Sequence, residues 1–67
     1  MPTINKTFQR AHKEYHQAIA ASADMCQSAL AEGADASHTI NLHRARVRGS
    51  WMRYQSQVPA WARTALK

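Results

Sequence analysis

The sequence predicts an all-α chain: an antiparallel helical hairpin of two long helices, followed by a short C-terminal helix and expected to dimerise. Three observations carry this. Apolar residues recur at helical spacing from Ile4 to Leu30. A break at Ala31-Glu32-Gly33-Ala34-Asp35 is too brief for anything but a tight reversal, so the second helix should fold back on the first. A second helical pattern then runs until Val58-Pro59, where the residue before proline avoids the helical region.

Helix 1 is expected over about residues 3–31, with Thr3 or Asn5 as its N-cap. Its apolar stripe contains Ile4, Phe8, Ala11, Tyr15, Ile19 and Leu30, with Ala18, Met25, Cys26 and Ala29 filling the gaps. Ser22 falls inside the stripe, and its hydroxyl is expected to bond back to the Ala18 carbonyl. Lys6, Arg10, Lys13, Gln17, Asp24 and Gln27 make the opposite, solvated face. The turn spans 32–35: Gly33 suits the left-handed position after a helix, and Asp35 or Ser37 suits the next N-cap.

Helix 2, about residues 36–57, carries two apolar faces rather than one. Ile40, Val47, Trp51, Tyr54 and Val58 fall on one side, and Leu42, Ala45, Gly49 and Met52 fall nearly opposite. One stripe is enough for a helix packed against a single neighbour, so the second calls for another partner. Gly49 in mid-helix is unfavourable by about 1 kcal/mol against alanine, which makes sense if another backbone approaches there. Leu42, Ala45, Gly49 and Met52 are therefore the expected dimer interface. The hairpin core is expected to rest on Phe8, Tyr15, Ile19, Val47 and Trp51, the bulkiest residues of the two facing stripes. Pro59 is the expected first residue of a helix over 59–66, with Trp61, Ala62, Ala65 and Leu66 inward. That segment is too short to stand alone, so it either folds across the hairpin end or docks Trp61 onto a second chain.

A chain of 67 residues is one domain at most. Such a domain buries only about 60% of the surface its unfolded chain exposes, and often needs disulfides, metal or oligomerisation to fold. Cys26 is the only cysteine, which points to a reducing compartment and excludes an internal disulfide. No run approaches the ~18 apolar residues of a membrane helix, and Met1-Pro2-Thr3-Ile4-Asn5-Lys6 lacks a signal-peptide core. A cytoplasmic protein without membrane contact is the expectation. Oligomerisation, as a homodimer, is the favoured remedy for small size.

The net charge of +5 is unevenly placed. Residues 1–35 hold Lys6, Arg10 and Lys13 against Glu14, Asp24, Glu32 and Asp35, whereas 36–67 hold six basic residues and no acid. This asymmetry calls for an anionic partner, either nucleic acid or an acidic or mixed protein surface.

Little in the chain suggests chemistry. His12 and His16 share a helix face, but His12-Lys13-Glu14-Tyr15-His16 lacks the zincin order, and nothing fixes a third and fourth ligand from His38, His43 or Cys26. The histidines read as solvent-side or flanking groups. With no triad signature and no glycine-rich phosphate loop, neither enzyme activity nor a metal or other cofactor is expected.

Binding is the better reading. Arg, Trp, Tyr and Met are enriched at protein interfaces, and the second half of the chain concentrates them. The expected partner-binding residues are Arg44, Arg46, Arg48, Arg53, Trp61 and Arg63. Arginines interleaved with Trp51 and Tyr54 also suit phosphate contact with base stacking. Basic helical hairpins that dimerise around RNA occur among plasmid copy-number regulators, so an RNA- or DNA-binding dimer is the alternative. Against it, Arg46 and Arg53 lie on one flank and Arg44 and Arg48 on the other, so no single row faces a groove.

In layout, with a long first helix, a Gly33 turn and a basic second helix within 67 residues, the chain resembles small phage- or plasmid-encoded accessory proteins. The resemblance implies a regulator or inhibitor that binds a host protein, for example a transcriptional regulator. It is architectural and carries no functional residue across.

Overall fold

The computed structural model describes residues 4–66. Within them the chain forms α1 (Lys6–Ala31), α2 (Ala36–Gln57) and α3 (Ala60–Ala65). α1 and α2 pack against each other along their length, giving a rod of 51 × 15 × 15 Å. Among the described residues there is no strand, and no helix is long and apolar enough to cross a membrane.

Local chemistry sets each boundary. Asn5 caps α1, its side-chain oxygen accepting from the Phe8 N–H at 2.9 Å, so the helix starts at Lys6. Thr3, the other expected cap, lies outside the described residues. At the far end Gly33 adopts φ 91°, and the N–H groups of Gly33 and Ala34 donate to the carbonyls of Leu30 and Ala29 at 3.1 and 3.0 Å. These crossed bonds satisfy carbonyls that the last turn would leave bare. Asp35 then accepts from the His38 N–H at 2.8 Å and starts α2.

Val58 ends α2 in an extended conformation. Pro59 is the N-cap of α3 and not its first helical residue: it keeps an extended ψ of 159°, and its carbonyl accepts from Ala62 and Arg63 at 3.0 Å. α3 folds back across the open end of the hairpin, which removes the Val58 and Ala62 side chains from solvent completely. Trp61 meets the Phe8 ring edge-on at 5.8 Å, so the docking that α3 makes is within its own chain.

The core differs from the expected one. Its buried members are Ala11, Tyr54, Val58 and Ala62, with Ile4, Phe8, Tyr15 and Leu66 packed around them. Phe8, Tyr15, Ile19 and Val47 are only half-buried, and Trp51 is 38% exposed. The cause is the azimuth of α2. Thr39, not Ile40, points at α1, with Thr39 5% and Ile40 39% exposed. The helix is turned by about half a residue step from the orientation its apolar residues alone would choose. Polar side chains fill the space instead, and they are satisfied there. Ser22 does not bond back to Ala18: its Oγ accepts from Arg46 Nε at 2.8 Å and lies 2.8 Å from His43 Nδ1. The hydroxyl proton is thus free to go to the imidazole.

Candidate functional site: the two flanks of the basic helix

Leu42, Ala45, Gly49 and Met52 all face solvent, with Leu42 46% and Met52 58% exposed. A Cβ built on Gly49 would meet no atom within 4 Å, so nothing within the chain requires glycine there.

The arginines separate into two groups. Arg44, Arg48 and Arg53 are exposed. Arg46 and Arg63, the other two expected partner-binding arginines, are half-buried and bonded within the fold. Arg46 is drawn inward to Ser22, with a longer 3.5 Å contact from Nη2 to the Ser22 carbonyl. Arg63 donates from Nη1 to the Val58 carbonyl at 2.6 Å and lies over the Trp51 ring, 5.5 Å from its centroid. Both geometries are those a guanidinium favours, a planar donor fork and a cation over an aromatic face. Trp61 keeps 44% of its surface exposed despite its contact with Phe8.

On the Arg44/Arg48 side, residues of α1, α2 and α3 line an open surface hollow of about 360 Å³. Tyr15 and Tyr54 stack in parallel at 4.8 Å and 6°, and Trp51 leans on both. His12 Nδ1 lies 2.9 Å from the Tyr54 hydroxyl, and the His12 and His16 rings meet at 4.4 Å. Burial pushes the Tyr54 phenol up from its ordinary value, opposed by Arg63 and helped by Tyr15. Burial lowers His12 first, and the charge of His16 lowers it further. The Tyr54 hydroxyl and His12 Nδ1 thus share a hydrogen bond across the hairpin. His12 and His43 both bond across it, at its closed-over end and nearer its turn, while His16 and His38 are exposed.

On the opposite side, Ala18, Ala21, Met25, Gly49 and Ser50 line an open groove rimmed by Arg46 and Arg53. Among the described residues, no three His, Cys, Asp or Glu side chains converge as a metal site would need. Cys26 is half-buried with a free thiol.

The residues the sequence reading missed are those that bond across the hairpin: Ser22 with His43 and Arg46, His12 with Tyr54, and Arg63 with Trp51. Only the first had a signal in the sequence, a serine in the middle of an apolar stripe. No protein-family model matches the chain, and neither a curated protein nor a solved structure matches it.

Proposed function

We propose that this chain is a small cytoplasmic protein-binding regulator or inhibitor, in the manner of phage- or plasmid-encoded accessory proteins. It acts as a homodimer and engages its partner through α2 and the C-terminal segment. The observation that carries the reading is the outward stripe of α2. Its Leu42 and Met52 side chains are exposed while Thr39 and Tyr54, on the other side of the same helix, are buried against α1. A rod this thin cannot cover both faces of α2 with one neighbouring helix. A second copy meeting the first at Gly49 would cover the stripe, with backbone approach permitted by the missing side chain.

Arg44 and Arg48 then flank the dimer seam on one side and Arg53 on the other, available to a partner of acidic or mixed surface. Trp61, exposed at the end of the rod, adds an aromatic anchor of the kind that dominates interfaces. The arginines on two flanks count against a nucleic-acid groove, which a single row would read.

Light scattering on the purified chain tests the dimer: twice the chain mass at micromolar concentration is expected, and a monomer mass refutes it. A pull-down from the native host with and without nuclease tests the partner. Retention of a stoichiometric protein after nuclease supports the reading, and recovery of nucleic acid alone replaces it with the alternative.

A further inference from the structure

The hollow between His12, His16, Trp51 and Arg63 is not needed for the outer face of α2 to bind, and its chemistry points elsewhere. Every group on its walls that carries or can carry charge is basic or phenolic, and no carboxylate lines it. Glu14, the nearest acid in sequence, belongs to the grooves on the other side of α1. The donors that remain unused are also of one kind. His12 has its Nδ1 occupied by Tyr54, which leaves Nε2 to a ligand. Arg63 spends Nη1 on Val58 and keeps Nη2 and Nε. His16 and the Trp51 indole add N–H groups, and both residues are exposed.

The walls are aromatic, with Tyr15 and Trp51 beside the basic groups. They are also held in place before any ligand arrives. The Tyr15–Tyr54 stack fixes one wall, and the Val58 carbonyl fixes the guanidinium. Fixed N–H donors beside aromatic rings suit a ligand that joins a phosphate to a planar base through a short linker. The volume, about 360 Å³, is at the small end of ligand pockets.

We infer that this hollow is a binding site for a mononucleotide-type ligand, a phosphate monoester whose base stacks on the aromatic wall while Arg63 and the two histidines take the phosphate. The assignment is independent of dimerisation and of the partner bound by α2.

The test is a titration of the full ¹⁵N-labelled chain with adenosine monophosphate, adenosine and inorganic phosphate, followed by NMR. Saturable shifts are expected at the Arg63 Nε–H, the His16 ring and the Trp51 indole N–H. The Trp61 indole, which does not line the hollow, should stay fixed and serves as an internal control. The nucleotide should bind at least about tenfold more tightly than adenosine or phosphate, a difference of about 1.4 kcal/mol. His16→Gln and Arg63→Gln should each weaken it by about tenfold, whereas Lys6→Gln and Arg10→Gln, exposed on α1 and outside the hollow, should leave it unchanged. His16 is exposed and bonds nothing in the fold, so its variant stays informative even if Arg63→Gln loosens α3. No saturable shift at millimolar nucleotide, equal affinity for nucleotide and phosphate, or equal losses in all four variants would each overturn the assignment.

Discussion

Gly49→Leu separates what the chain needs for itself from what it needs for a partner. Gly49 lies inside α2, and a side chain placed there meets open space. Within one chain, replacing glycine by leucine should therefore stabilise the helix by about 0.5–1 kcal/mol. For a domain of 67 residues this corresponds to a rise in Tm of about 3–6 °C. At the dimer seam the effect reverses. A leucine forced between closely packed backbones is unfavourable by about 1–3 kcal/mol, and it enters twice because the seam is symmetric. Thermal unfolding by circular dichroism, run over a hundredfold range of concentration, resolves the two signs. The variant should melt above wild type when dilute and below it when concentrated, and light scattering should show its mass falling to one chain. Two results refute the reasoning. A variant that keeps the dimer mass places the seam elsewhere, and one that melts lower when dilute shows that Gly49 is needed inside the chain.

Other consequences follow from the packing. Tyr54→Ala should lose about 3–5 kcal/mol, comparable to the whole stability of so small a domain, and with it most helical circular dichroism. Trp51→Ala, at a residue 38% exposed, should stay folded at room temperature with a lower Tm; equal behaviour of the two variants would contradict the orientation of α2. Ser22→Ala leaves Arg46 Nε and His43 Nδ1 without their shared hydroxyl, and should lower stability by about 1–2 kcal/mol in denaturant unfolding. Because His12 is held below the ordinary histidine value of 6.5, the folded chain binds fewer protons at this site than the unfolded one as pH falls past that value. The neutral-histidine contribution is therefore whole above pH 6.5 and declines below it. Denaturant titrations at a series of pH values should show this decline in wild type and a smaller one in His12→Gln.

The helix boundaries were legible because they are local. Asn5, Gly33, Asp35 and the Val58-Pro59 pair each act within a few residues of themselves, through caps, a positive φ and a missing N–H. The hairpin followed from the shortness of the turn. The azimuth of α2 was not legible, and the reason is specific to that helix. Its apolar residues are spread over two faces, so hydrophobic periodicity assigns no unique inner side. Ile40 and Trp51 outweigh Thr39 and His43 on any scale that scores residues one at a time. What tips the balance is pairing across the hairpin: a buried hydroxyl that satisfies an arginine and a histidine at once, and a tyrosine that stacks on Tyr15 while hydrogen-bonded to His12. The partners in these bonds are 21 to 42 residues apart, and each is polar enough to be read alone as a surface residue. Arg46 and Arg63 are further cases, arginines with internal bonds that no local pattern announces. A polar residue within an apolar stripe is thus better treated as one half of an unknown pair than as a defect to be satisfied locally. In this chain Ser22 is such a residue, and reading it so would have directed attention to the donors on α2. The outward stripe of Leu42, Ala45, Gly49 and Met52 lies away from α1 in either orientation of α2, so it was legible in the sequence while the polar pairs on the inward face were not.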